Sequence, residues 1–261
     1  MSKHIIHTTN LAIGYTSKNQ VNCIAKNLNI ELKAGNLVCL LGKNGIGKST
    51  LLRTLTKVQP QLKGDIFFNG NNLDEISHIE LAKKISLVLT EKLPPSSLSV
   101  FELVALGRQP YTNWIGYLTN EDLEIINTAF EKTHTKHLMN SRYYELSDGQ
   151  LQKVLIARAL AQNTGVIILD EPTAHLDIHH TIETFKLLQN LAKELGKTII
   201  ISTHEINLAL QLADYLWLMT PNELITGETE AIIKNNSLNQ LFDSDLIEFN
   251  KTLNQFTLKK D

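Results

Sequence analysis

The run CLLGKNGIGKST, Cys39 to Thr50, joins an apolar stretch, a glycine-rich turn and a Lys-Ser-Thr step into a helical pattern. Gly42, Gly47, Lys48 and Ser49 meet the spacing G-x-x-x-x-G-K-[ST]. Glycines let a backbone curl until several N–H groups face one point, and the start of the following helix adds its positive end. The chemistry expected of Gly42, Lys43, Asn44, Gly45, Ile46, Gly47, Lys48, Ser49 and Thr50 is therefore the holding of a nucleotide's phosphates. Lys48 reaches the terminal phosphates, and the Ser49 hydroxyl takes Mg2+.

A second stretch, VIILDEP, ends a buried strand at Asp170. Ligands of open parallel sheets bind at the carboxyl ends of the strands, so a carboxylate there is placed to hold Mg2+ through water. Glu171 points elsewhere and is placed to polarise a water for attack on a γ-phosphate. Two acids capping a strand end would look the same in isolation, and the glycine loop in the same chain favours the nucleotide reading. His175, His179 and His180 include an i, i+4 pair that suits zinc, but no third ligand of recognisable spacing accompanies them.

These residues need strands and helices in alternation. HIIHTTNLAIGY and NCIAKNLNIELKAG show strand-type alternation, and NLVCLLG, GDIFFNG, KISLVLT, GVIILDEP and KTIIIST read as further strands. KSTLLRTLTKV follows the glycine turn as a helix. From Leu93 to Asn163 the chain is mainly helical: SVFELVALGR presents an apolar face, and TNEDLEIINTAFEKT opens on a cap at Thr119 or Asn120. Phe185, Leu188, Ala192 and Leu195 share one helical stripe, and EINLALQLADYLWLM reads as one more helix. The expected fold is α/β: a P-loop core with a mainly parallel sheet, flanking helices, an antiparallel N-terminal β region and an inserted helical subdomain. The expected organisation is one domain over 1–261. Its nucleotide-binding core is 1–91 with 164–220, its helical block 92–163, and a β/α tail, 221–261, packs on the core.

The 261 residues suffice for a substantial core. A formal net charge of −2, from 25 basic and 27 acidic residues, gives no sign of nucleic-acid binding. Two cysteines, Cys23 and Cys39, make no disulfide framework and suggest a reducing compartment. No segment approaches the roughly 18 apolar residues of a membrane helix, and MSKHIIHTTN is no secretory signal, so a soluble protein is expected.

Taken together these motifs resemble those of the ATPase subunits of ABC transporters, over about residues 1 to 220. GKNGIGKST is similar to the family's Walker A motif and VIILDEP to its Walker B. LSDGQLQKVLIARALA, Leu146 to Ala161, resembles the signature. HLD, His175 to Asp177, resembles the D-loop, and STH, ending at His204, resembles the switch histidine. The resemblance implies ATP with Mg2+ as ligands and His204 as a sensor of the γ-phosphate. Tyr15 would stack on adenine, though its position equally suits an ordinary strand aromatic. Ser147 and Gly149 open a helix whose N-terminus can bind phosphate. In the family that end, with Gln150, meets the ATP of a second copy, so a head-to-tail homodimer is implied.

Two positions depart from the family pattern. Glu91, in LTEKLPP, stands where a glutamine usually touches Mg2+ and the attacking water. Asp148 stands where the signature more often has glycine, and its carboxylate must turn away from a phosphate bound at that helix end. LPPSSLSVFELVALGRQPYTNWIGYLTNEDLEIINTAF resembles the helical subdomain of import ATPases for iron–siderophore complexes, haem and cobalamin. That branch implies an integral membrane permease, indirectly a substrate-binding protein, and a peripheral location on the cytoplasmic face of the inner membrane. Trp114, Ile115 and Tyr117 would lie near the permease dock, or pack as an ordinary loop. A soluble ABC protein acting on ribosomes or DNA commonly carries two modules or long coiled coils, which this chain lacks. A small-molecule kinase predicts an acceptor-binding region and no LSDGQ.

Overall fold

The computed structural model describes residues 4–17, 20–90, 93–94, 96–241, 246–250, 253 and 255–259. They form two compact units, Met1–Ile76 with Thr198–Asp261, and Ser77–Lys197. In the first, β1 (Ile6–Ser17) runs antiparallel to β2 (Gln20–Leu28), and β3 (Glu31–Leu32) pairs with the start of β1. β4 (Leu37–Gly42) is buried along both faces, as its unbroken apolar run requires, and α1 (Lys48–Leu55) follows the glycine turn. β5 (Lys63–Phe68) and β6 (Asn71–Asn72) complete an antiparallel sheet of order β2-β1-β5-β6.

The second unit holds α2 (His78–Ala82), β7 (Ile85–Val88), α3 (Val100–Ala105), α4 (Asn120–Lys132), α5 (Asp148–Ala161), β8 (Val166–Leu169) and α6 (Ile178–Leu195). The helical block expected over 92–163 lies inside this unit, together with β7, β8 and α6. Four of its helices start on capping boxes, Ser77/Glu80, Ser99/Glu102, Thr119/Asp122 and Ser147/Gln150, each satisfying two end N–H groups reciprocally. β7 and β8 are parallel, from Ile85 opposite Val166 to Val88 opposite Leu169. The Gln162 amide ties the end of α5 to the carbonyls of Ala82 and Ile85, beside β7.

The chain returns to the first unit through β9 (Thr198–Ser202), α7 (Ile206–Leu212), β10 (Tyr215–Met219), β11 (Leu224–Glu228) and α8 (Thr229–Lys234). β9 and β10 flank β4 in parallel, and β11 closes the edge antiparallel to β10. EINLALQLADYLWLM is thus not one helix but α7 followed by β10. Asp214 breaks it: its carboxylate accepts from Leu37 N at 2.8 Å and its N–H donates to Leu37 O, which locks the next residues into register with β4. Leu216, Trp217 and Leu218 are then fully buried on both faces. The tail adds the hairpin pair β12 (Ile247–Asn250) and β13 (Gln255–Leu258), with Phe256 N donating to Asn207 Oδ1 of α7 at 3.4 Å. Cys39 is buried in β4, where burial first and Asp214 second push its thiol well above the ordinary range. Among the described residues no helix is long and apolar enough to cross a membrane.

Candidate nucleotide site

In the first unit the loop after β4 turns through Gly45 at φ 74° and Gly47 at φ 113°. Gly47 is the N-cap of α1, and a Cβ there would stand 2.5 Å from Ile24 Cγ2, so both backbone angle and space demand glycine. Lys48 is 4 % exposed, and its ammonium lies back on the loop, donating to Gly42 O at 3.0 Å and Lys43 O at 3.3 Å. It also donates to His204 Nε2 at 3.3 Å. Gly42, Lys43, Asn44, Thr203 and His204 share a cavity of about 280 Å³ with Leu241. Tyr15 is 48 % exposed, so it is not a core aromatic of β1, and its hydroxyl is 3.0 Å from Thr50 Oγ1. A tyrosine face open to solvent and tethered to the phosphate-loop helix is suited to stacking on a base.

In the second unit β8 delivers Asp170 at its end, buried, with its N–H on Val88 O and its carbonyl accepting from Thr90 Oγ1 at 3.0 Å. Glu171 follows at φ 46°, a left-handed backbone uncommon for a side-chain-bearing residue. Glu171 lines a cavity of about 110 Å³ with Thr90, Asp148, Gln152 and His175. Ser147 caps α5 by accepting from Gln150 N, while Gln150 Oε1 accepts from Ser147 N at 3.1 Å. Ser49 and Asp170 both carry the hard oxygen donors that Mg2+ takes, and the curled glycine loop with its lysine fits the triphosphate.

Residues 25–174 match the ABC transporter family. The chain is 38 % identical to an ABC transporter ATP-binding protein of Methanocaldococcus jannaschii, covering 98 % of this chain and 88 % of that one. It is 39 % identical to the achromobactin transport ATP-binding protein CbrD of Dickeya dadantii, covering 81 % and 77 %. It is 35 % identical to the iron(3+)-hydroxamate import ATP-binding protein FhuC of Bacillus subtilis, covering 92 % and 88 %. The chain belongs to the ABC transporter ATPase family. A dimeric ATP-binding cassette solved in a post-hydrolysis state with ADP and phosphate superposes with a TM-score of 0.73 at 27 % identity, covering 86 % of this chain and 98 % of that one.

Several features of this ABC ATPase were not visible in its motifs. Lys48 and His204 meet across 156 residues. Gln152 shares the Glu171 cavity, and its amide nitrogen is buried with no hydrogen-bond partner among the described residues; only its place in the signature run could have marked it. Asp148 is exposed in the first turn of α5 and lines that same cavity. Glu91 lies outside the described residues. The zinc spacing of His175 with His179 is not realised, because α6 begins at Ile178 and leaves His175 off the helix.

Gly149 lies close against His180: an added Cβ would stand 2.4 Å from His180 Cδ2. Asp177 holds that ring, accepting from His180 N at 2.8 Å and lying 2.9 Å from its Nδ1. The substitution Gly149→Ala is expected to cost about 1–3 kcal/mol by overpacking. The double variant Gly149→Ala/His180→Ala recovers most of that loss, as read by urea unfolding.

Proposed function

We propose that this chain is the ATPase of an importer that takes up an iron–siderophore or related metal chelate through an integral membrane permease. The observation that carries the reading is the glycine loop with Lys48 folded against Gly42, Lys43 and His204, in a chain 39 % identical to an achromobactin transport ATP-binding protein and 35 % identical to an iron(3+)-hydroxamate import ATP-binding protein. ATP lies on Gly42 to Thr50 with Tyr15 against the base. Lys48 moves from the loop carbonyls to the terminal phosphates, a favourable exchange of neutral acceptors for charged ones. Ser49 and Asp170 would each offer an oxygen to Mg2+, which would neutralise phosphate charge when bound. Glu171 accepts the proton of the attacking water, and His204 reports the γ-phosphate.

Ser147, Gly149 and Gln150 act on the nucleotide of a second copy, so the working unit is a homodimer. The dimeric relative with ADP and phosphate supports that arrangement. The permease docks on the second unit. Trp114 there is 94 % exposed, and Ile115 and Tyr117 are also open to solvent. A groove of about 510 Å³ is lined by Ile79, Ala82, Leu106 and Pro110, among others. Exposed apolar groups of this kind mark interaction surfaces. The protein then sits peripherally on the cytoplasmic face of the membrane, with a substrate-binding protein engaging the permease from the other side.

Affinity purification of the tagged chain from detergent-solubilised native membranes tests the reading. A stoichiometric multi-span permease is expected, together with loss of ferric-chelate uptake when the chain is deleted. Recovery of soluble partners alone, with uptake unchanged, overturns it in favour of a soluble ABC ATPase.

A further inference from the structure

Outside the nucleotide site, the described residues contain two clusters of histidine and carboxylate: His4, His7 and Glu31, and His179, His180 and Glu183. In the second, Glu183 and His180 already have close partners. Lys153 Nζ holds Glu183 Oε2 at 2.7 Å, and His180 Nδ1 lies 2.9 Å from Asp177 Oδ2. The first is open. His4 Nε2 stands 3.7 Å from Glu31 Oε2 and His7 Nδ1 stands 3.9 Å from Glu31 Oε1, beyond hydrogen-bond reach. One ligand atom from each of the three lies within 4.8 Å of the others.

We propose that His4, His7 and Glu31 form a binding site for a divalent transition cation of zinc's borderline class. Two donors at about 2.1 Å from one tetrahedral ion stand roughly 3.4 Å apart, a few tenths of an ångström closer than the 3.7 Å and 3.9 Å that separate the two imidazoles from Glu31. The backbone sets the spacing. His7 pairs directly across the ladder with Glu31 of β3 on one side and Phe67 of β5 on the other. Its ring lies 5.9 Å from that of Phe67, which walls one flank, and 6.4 Å from the near-parallel ring of His4.

His7 Nε2 lies 3.2 Å from Thr9 Oγ1. This outer contact is the kind that orients a ligating imidazole, and with the proton on Nε2 it leaves the Nδ1 lone pair facing Glu31. Two imidazoles and one carboxylate select zinc-like ions over Mg2+, whose preferred ligands are all oxygen, so the site is chemically distinct from that of the nucleotide's metal. Three protein ligands leave a fourth position for water.

The test is calorimetric titration of the purified full-length chain, stripped with chelator, using ZnCl2. One ion per chain is expected, with a Kd of about 10 μM or tighter. His4→Ala and His7→Ala weaken binding about tenfold or more, and Thr9→Val weakens it by a smaller factor of about ten at most. His179→Ala leaves it unchanged. At a hundredfold excess over Kd, zinc raises Tm by about 5 °C or more. If His7→Ala fails to fold, the exposed Glu31→Gln carries the test. Absence of stoichiometric binding overturns the proposal, as does binding that survives both His4→Ala and Glu31→Gln or that is lost in His179→Ala.

Discussion

Glu171→Gln is expected to lower ATP turnover by about 10²- to 10⁴-fold while leaving ATP binding intact. The amide keeps the size and shape of the carboxylate but does not take a proton from water. It also keeps the backbone demand, since Glu171 already adopts φ 46° with a side chain present. Any loss therefore reports proton transfer and not a collapsed turn. With hydrolysis blocked, the nucleotide-loaded chain accumulates as an ATP-bound dimer. Phosphate release measures the first effect, and size-exclusion chromatography with light scattering measures the second. Unimpaired turnover would remove Glu171 from the role of base.

Arg108→Ala is expected to destabilise the second unit by about 3 kcal/mol, because it leaves a buried carboxylate without its countercharge, held only by Thr119. Arg108 Nε lies 2.7 Å from Asp122 Oδ1, with side chains only 5 % and 7 % exposed. The guanidinium also donates to Ala161 O at 2.9 Å and lies 4.0 Å from the Tyr111 ring centroid. Removing it cuts the segment after α3 away from α4 and the end of α5 at once. Burial alone would raise the Asp122 pKa, but hydrogen bonds from Thr119 and Arg108 outweigh it and hold the carboxyl below the usual range. A depressed folded pKa means the stabilisation is complete above the unfolded value of about 3.9 and is lost as pH falls through the folded one. Wild-type protein should therefore lose more stability than Arg108→Ala when acidified below about pH 4. Urea unfolding at a series of pH values measures both effects, and equal acid sensitivity in the two proteins would show that the pair does not set the Asp122 pKa.

The α/β class, the phosphate loop and the acidic strand end are legible in the sequence because each depends on neighbours in the chain. A glycine loop needs its spacing within eight residues, and a capping box needs its two members three apart, as at Thr119 and Asp122. The run from Glu205 to Met219 departs from its helical pattern for the complementary reason. Its apolar residues satisfy a buried helix or a strand covered on both faces, and periodicity does not separate the two. The choice rests on Asp214 and its bonds to Leu37, 177 residues away along the chain.

Local chemistry thus set which groups this protein carries: a phosphate cradle, a lysine, two successive carboxylates and a capped signature helix. Folding set what each of those groups touches. Lys48 rests against His204, Tyr15 against Thr50, Gly149 beneath His180, and Arg108 against Asp122. The physical reason is that turns, caps and amphipathic faces are short-range preferences. Close packing and the pairing of buried charges depend on which distant strands and helices come together.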